Sequence, residues 1–422
     1  MTSTHIVIDL GFGDCGKGTT VDWLTRKYES KWNIRFNGGA QAAHNVVLPN
    51  GFHHKFSQFG SGTLAGSKTY LSSFVYVDPL ALFAEANHLQ EYMDDVNVLK
   101  LIHINLKCPI ITPFHKAVNR FKSINDGVFN TCGIGFGEAV SLNNNFNDVL
   151  LYKDLVSINT IKRKLTELKK RYLKSYPMLE YYKEFKEIDI DEISKYFNDL
   201  YLKTITVDDQ IELSILSCDN NIFEGAQGIL LDEYNGTYPY NTWSTCNETN
   251  AIKLLDNLKN KVTIEHDVDI IGVLRSFATR HGDGPFPTES DIYDTHINDD
   301  HNKKNLWQGN FRTGHFDLVL LEYALRHTNI TAFVLTHFDK LSPSFIICDS
   351  YLRIDTKEMI NKLPYICNDH SFKLQSAFTS SLYDYLPVVK NMMKEEFIDF
   401  LINFINVPCL TVSSGQTYLD KI

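Results

Sequence analysis

Ile6-Val-Ile-Asp-Leu10-Gly11-Phe-Gly-Asp14-Cys-Gly16-Lys17-Gly18-Thr19-Thr20, running on into Val21-Asp-Trp-Leu-Thr-Arg-Lys27, is the stretch on which the fold turns. A short β-branched apolar run gives way to a glycine-rich turn and then to a helical pattern, the order expected of a strand that feeds a crossover helix. Glycines in such a turn let backbone N–H groups point outward at a helix N-terminus, where they cradle phosphate oxygens, and a lysine within the turn adds a point charge. The spacing is not G-x-x-x-x-G-K-[ST], because Gly18 follows Lys17 and the first glycine is misplaced. A tight structural turn would account for the glycines and the lysine equally well. It does not account for Asp14: a carboxylate inside a phosphate loop repels the ligand unless it holds Mg²⁺ or takes a proton from a substrate.

Outward from this turn, similar apolar runs alternate with amphipathic stretches: Asn97–Ile102, Asn221–Glu224, Ile270–Leu274, Ala332–Leu335 and Ser344–Cys348. That alternation implies an α/β fold with a large, mainly parallel central sheet and surrounding helices. Residues 160–215, with Leu165, Leu168, Tyr172 and Leu173 followed by a Lys/Glu-rich amphipathic pattern, are expected to form a helical insertion. Glu395–Phe404 reads as a late amphipathic helix before a last strand, Pro408–Val412. At ~150 residues per domain the length would allow two or three domains, yet no linker or repeat interrupts the chain, and 1–422 is expected to be one elaborated domain.

Composition narrows the function. Hydrophobic residues make up 43% and charged residues 22% of the 422, enough apolar material for a packed core. Lys plus Arg (41) against Asp plus Glu (51) leaves −10, and no basic patch stands out, so nucleic acid and anionic membranes are poor partners and small molecules better ones. No apolar run approaches the ~18 residues of a membrane span, and the start lacks the pattern of a signal peptide, so the expected compartment is the cytoplasm. The eight cysteines are scattered without metal-ligand spacing, and reduced thiols are expected.

Four further motifs follow. Asn37-Gly-Gly-Ala-Gln41-Ala-Ala43-His44 closes small residues on a histidine ahead of a strand. Phe223-Glu-Gly-Ala-Gln227-Gly-Ile-Leu-Leu-Asp232 ends a strand on an amide at the carboxyl edge of the sheet, where open α/β sheets bind ligands; Gly236-Thr-Tyr-Pro-Tyr-Asn-Thr242 comes next. Thr279-Arg-His-Gly-Asp-Gly284-Pro-Phe-Pro-Thr-Glu289 is a loop stiffened by Gly and Pro. Thr336-His-Phe-Asp339 and Ser413-Ser414-Gly415 each follow a strand; a carboxylate suits the N–H edge of guanine, and backbone donors suit its O6.

In this order and at these separations the motifs resemble adenylosuccinate synthetase, the GTP-using family that joins IMP to aspartate, from about residue 5 to residue 415. The resemblance implies a homodimer with one large α/β domain, GTP as co-substrate and Mg²⁺ as cofactor. It implies Asp14 as general base and metal ligand, with Ala43 as a second metal-binding position, His44 as the acid facing the phosphates, and Gln227 as the residue orienting the base. Gly16, Lys17 and Gly18 would hold the phosphates, and Asp339, Ser414 and Gly415 would read guanine. Gln41, Thr131, Cys132 and Thr242 would contact the acceptor nucleotide, and Arg312 the amino acid.

Departures from the family pattern cluster in two places. The family's Thr-Thr-Gly-Arg-x-Arg-Arg run, which binds the aspartate carboxylates, is here Leu306-Trp-Gln-Gly-Asn-Phe-Arg312-Thr-Gly-His315, and an earlier loop arginine is Ile134. Gln41 and Cys132 replace the family's Asn and Thr at the nucleotide contacts. Losing bidentate arginines weakens carboxylate binding. The alternatives are therefore a variant ligase with a non-standard purine acceptor or amine, and a non-catalytic nucleotide-binding protein.

Overall fold

The computed structural model describes residues 2–126, 131–146, 148–262, 266–291, 307, 309–366 and 371–422. Among these described residues nine strands form the central sheet: β1 (Thr2–Asp9), β2 (Trp32–Arg35), β3 (Lys68–Leu71), β4 (Ile102–Asn105), β5 (Ile205–Val207), β6 (Asn221–Glu224), β7 (His266–Arg275), β8 (Ala332–Thr336) and β9 (Cys409–Val412). Their order is β9-β8-β7-β1-β6-β2-β3-β4-β5, and every neighbouring pair is parallel. Such a sheet is covered on both faces, which is why its strands read as unbroken apolar runs. In β1 the side chains of Ile6 and Ile8 enter one buried cluster and Val7 another; in β6 Phe223 and Ile222 divide the same way.

The apolar run at Asn97–Ile102 is not the strand expected there. Val98–Lys100 forms a single 3₁₀ turn, closed by the Leu101 N–H donating to Val98 O at 2.9 Å, and the strand starts only at Ile102. A short apolar run buries itself equally well in either conformation, so periodicity alone does not separate them. The stretch 160–215 does supply helices, at Ile158–Ser175, Lys183–Lys186, Ile190–Lys203 and Asp209–Leu216, but it also supplies β5, the edge strand. The Thr204 N–H closes the preceding helix on Leu200 O at 3.0 Å, and the β-branched triplet Ile205-Thr-Val207 then pairs with β4. Leu165, Phe197 and Leu200 share a buried cluster with Leu71, Ile102 and Ile104, so these helices pack on the sheet itself. Ser344–Cys348 is a strand as expected, but it belongs to a separate four-stranded sheet, where Ser344–Arg353 pairs antiparallel with Tyr385–Met393.

Strand β1 sits between β6 and β7, where the winding of the sheet reverses. Crevices at the carboxyl ends of strands at such a reversal are where open α/β sheets bind ligands. Among the described residues no helix is long and apolar enough to cross a membrane, and the described cysteines are all free.

Phe223, fully buried in β6 beside β1, is a direct probe of this core. Phe223→Ala is expected to lower unfolding free energy by about 3–5 kcal/mol, measured by denaturant titration; a loss under about 1 kcal/mol would mean the central strands do not carry the fold.

Candidate active site

Immediately after Asp9 the chain leaves β1 through a turn in which Gly13 (φ 89°), Asp14 (φ 59°) and Gly16 (φ 92°) are all left-handed. Helix α1 (Lys17–Lys27) then starts with Gly16 as its N-cap. Left-handed backbone is uncommon outside glycine, so Asp14 is held there by its surroundings. Arg275 Nη1, at the end of β7, donates to the Asp14 carbonyl at 3.2 Å, and His281 Nε2 lies 3.1 Å from Asp14 Oδ2. Burial alone would raise the Asp14 pKa, but the His281 hydrogen bond and the charges of His281, Lys17 and Arg275 outweigh it and bring it down to about 2. Asp14 is therefore ionised throughout the neutral range. Lys17 Nζ donates to Asp9 Oδ2 at 2.8 Å.

His44 opens a small hairpin, His44–Val47 with His53–Phe56, that lies against α1. Its Nδ1 is 2.5 Å from Glu224 Oε1 at the end of β6, and since a carboxylate only accepts, Nδ1 carries the proton. Glu224 also accepts from the Ser61 N–H at 2.9 Å and the Ser61 hydroxyl at 2.5 Å. Burial works to raise its pKa, but Arg35 and His44 hold it at about 2. For His44 itself burial is the largest influence and lowers the pKa, only partly offset by Glu224. The free protein thus presents a neutral imidazole whose Nε2 has no hydrogen-bond partner among the described residues.

Two further turns close on these groups. Asn37 ties them together: its Nδ2 donates to Ala226 O at 3.1 Å and Thr245 O at 2.8 Å, while its Oδ1 accepts from the Ala226 N–H at 2.7 Å. This leaves Gln227 (φ 58°) and Gln41 side by side across Gly38, with both amide heteroatoms of Gln41 and the Oε1 of Gln227 unpartnered among the described residues. Opposite, β8 ends at Thr336; Phe338 N–H donates to Ser413 O at 3.0 Å, and Ser413 N–H to Leu335 O at 2.7 Å, which brings the Asp339 turn beside the 413–416 loop.

All the expected site residues except Ser414 and Arg312 line one cleft of about 740 Å³. These include Ala43, Thr131, Cys132, Thr242, Asp339 and Gly415. Ser414 is turned away, its N–H donating to Asp420 O at 2.9 Å, and Ser413 lines the cleft in its place. Arg312 is engaged elsewhere: its guanidinium forms a two-pronged pair with Glu289 and also donates to Gly282 O at 3.1 Å and Gly284 O at 2.9 Å. Leu306 and Gln308 of the same run lie outside the described residues. Asp9, Asn37, Glu224 and His281 have structural parts that sequence reasoning did not assign. Glu224 stands in the same motif as Gln227, and a carboxylate at the carboxyl end of a central strand is the signal the sequence offers for it.

An ionised carboxylate thus stands in a glycine-rich turn at a helix N-terminus and a sheet reversal, the setting in which α/β enzymes hold phosphate groups. A sequence profile of the family "Adenylosuccinate synthetase" matches residues 6–421. The adenylosuccinate synthetase of Psychromonas ingrahamii is 31% identical over 370 residues, covering 83% of this chain and 81% of that protein. That of Francisella philomiragia is 30% identical over 441 residues, covering 100% and 93%. Among solved structures, fully ligated adenylosuccinate synthetase from Plasmodium falciparum superposes with a TM-score of 0.82 at 20% identity, over 99% of both chains. The succinoaminodeoxyadenylate synthetase of cyanophage S-2L, bound to dGMP and dATP, gives 0.64 at 14% identity, over 100% of this chain and 95% of that one. The chain belongs to the adenylosuccinate synthetase family. It is accordingly a GTP-dependent carbon–nitrogen ligase.

A Cβ at Gly18 would stand 2.8 Å from Asn45 O and 3.0 Å from His44 C, both backbone. Gly18→Ala should therefore push α1 and the His44 hairpin apart, cutting GTP turnover at least tenfold while the protein stays folded by circular dichroism. Turnover within twofold of wild type would show that the two segments need not touch. Glu224→Gln should lower kcat by about 10–100-fold, the cost of one charge-assisted hydrogen bond of ~1.5–3 kcal/mol, as read by steady-state assay.

Proposed function

We propose that the cleft joins aspartate to IMP at the expense of GTP, in two steps. In the first, Asp14 takes the proton from purine N1 as O6 attacks the γ-phosphorus of GTP; the bond from that phosphorus to the β–γ bridging oxygen breaks, and GDP leaves. In the second, the amino nitrogen of aspartate attacks C6, the C6–O6 bond breaks, and inorganic phosphate departs with the former O6. A neutral lactam oxygen is a poor nucleophile, and ionising N1–H is what makes O6 reactive. The observation that carries this reading is Asp14, an ionised carboxylate inside the phosphate turn and on the same cleft wall as the bare Nε2 of His44.

The other roles follow from the same placement. The amides of Gly16, Lys17 and Gly18 at the start of α1 would hold the phosphates. His44 is neutral in the free protein; a triphosphate beside Nε2 would favour its charged form, which then donates to the transferring group. Gln227 and Gln41 hold unpartnered amides for the purine and its substituents. Asp339, with Ser413 and Gly415 across the gap, would read the guanine of GTP, and Thr131, Cys132 and Thr242 would meet the acceptor nucleotide. Mg²⁺ is usually held by one or two protein oxygens with substrate phosphates and water, and the ionised carboxylate of Asp14 on the cleft wall is a donor of that kind. Asp14 and the carbonyl of Ala43 would hold it here, and when bound it would neutralise charge on the phosphates.

The altered-amine alternative is not favoured, because the relatives found by sequence are adenylosuccinate synthetases. Arg312 is committed to Glu289; of the other cations lining the cleft, Lys17 is paired with Asp9, Lys122 with Glu138 and Lys340 with Asp339, Arg275 donates to the Asp14 carbonyl, and Lys55 completes the set that carboxylates and the 5′-phosphate would meet. A homodimer is part of the proposal, readable by light scattering of the purified protein.

Asp14→Asn keeps the volume and removes the base. It should lower kcat by about 10²–10⁴-fold, the usual contribution of a positioned base, with GTP affinity within about threefold of wild type in a direct binding titration. Retained turnover would remove Asp14 from the chemistry. Offered a panel of amino acids with IMP and GTP, the enzyme should yield adenylosuccinate with aspartate and no other coupled product by mass spectrometry; coupling to a different amine in preference would overturn the assignment of substrate.

A further inference from the structure

We propose that Asp9 is a positioning residue for phosphoryl transfer, its carboxylate folding the phosphate loop before any nucleotide arrives and fixing where Lys17 stands. The inference rests on the reading that this loop receives the phosphates of GTP. Asp9 is the last residue of β1 and is fully buried. Its Oδ1 accepts from the Gly11 N–H at 2.9 Å and the Gly13 N–H at 3.3 Å. Its Oδ2 accepts from the Cys15 N–H at 3.0 Å and from Lys17 Nζ at 2.8 Å. Three of the loop's amides and its lysine thus converge on one carboxylate.

Only an acceptor with two equivalent oxygens satisfies that set. An asparagine turned either way would place its NH₂ against one pair of donors and leave them buried without a partner. Nor is there space to reorganise. The neighbouring Gly228 turn lies so close that a Cβ on it would stand 2.7 Å from Asp9 Oδ1, 2.3 Å from Gly11 O and 2.5 Å from Gly13 N. The charge is equally constrained, since a buried carboxylate persists only when paired, and Lys17 is the pair. The consequence reaches the reacting groups. The left-handed turn that carries Asp14 and Gly16 lies between the Gly13 and Lys17 anchors, so Asp9 holds both ends of the segment that presents the base and the first helical amides. Because Asp9 neutralises Lys17, the pull on phosphate comes from a preformed set of amides with Lys17 as an oriented donor, and not from a free cation searching for a partner.

Asp9→Asn tests this against the wild type with GTP and guanosine as ligands and with steady-state kinetics. The expected result is guanosine binding within threefold of wild type, GTP binding weakened at least tenfold and kcat reduced at least tenfold, because the loss is confined to the phosphate loop. GTP affinity and kcat within threefold of wild type would overturn the proposal. So would parallel weakening of GTP and guanosine, which marks a general structural role. Hydrogen–deuterium exchange of the nucleotide-free wild type decides the question even if the variant does not fold: the amides of Gly11, Gly13 and Cys15 should exchange slowly, and exchange at the rate of an open loop would overturn the proposal. A wild type that does not bind GTP would instead refute the reading of the site, leaving the exchange result to judge Asp9 separately.

Discussion

Three turns meet at the carboxyl end of β1 at separations that admit no side chain. Gly18 at the head of α1 rests on the backbone of His44 and Asn45, Gly228 rests on the backbone of Gly11 and Gly13, and Gly38 rests on the side chains of Ala226 and Gln227. The first two are backbone-to-backbone contacts, which fix distances that side-chain packing would leave adjustable. The base, the imidazole and the two amides are therefore brought onto one cleft by the fold itself, before any ligand contributes. The parallel sheet supplies the frame, since β1, β6 and β8 all point their carboxyl ends toward the same crevice.

Electrostatics follows from that geometry. Burying charged groups this closely is costly unless each has a counter-charge. Lys17 is paired with Asp9, Glu224 lies between Arg35 and His44, and Asp14 has His281 beside it with Lys17 and Arg275 near. The carboxylates Asp14 and Glu224 are both held at about 2, so the site stays charged through the neutral range. Pre-paired groups need little rearrangement during reaction, which is where enzymes gain most from electrostatics. His44 is the exception, neutral in the free protein with Nε2 open, and it is the group whose state a bound triphosphate would change.

What was legible in the sequence was what composition and spacing mark. The glycine turn, the β-branched runs of β1, β6, β7 and β8, and the motif around Gln227 each announce themselves within about ten residues. What was not legible depends on partners far along the chain. Asp9 reads as an ordinary strand end, and only the folded loop shows its four donors. His281 meets Asp14, and Arg312 meets Glu289, through the pairing of Ala278–His281 with Phe311–Gly314 and the loop between, which local pattern does not encode. A turn of two serines does not reveal from its sequence which one faces inward, and here it is Ser413 that lines the cleft. The Asn97–Ile102 run and the edge strand β5 show the complementary weakness: a short apolar segment takes the conformation its neighbours leave open.

The central claim is that O6 of the purine is phosphorylated before the amine displaces it, and the fate of that oxygen tests it most directly. With IMP carrying heavy oxygen at O6, together with GTP and aspartate, mass spectrometry should find the label in the released inorganic phosphate, one labelled phosphate for each molecule coupled. Unlabelled phosphate, with the heavy oxygen retained in the nucleotide or lost to water, would contradict the account.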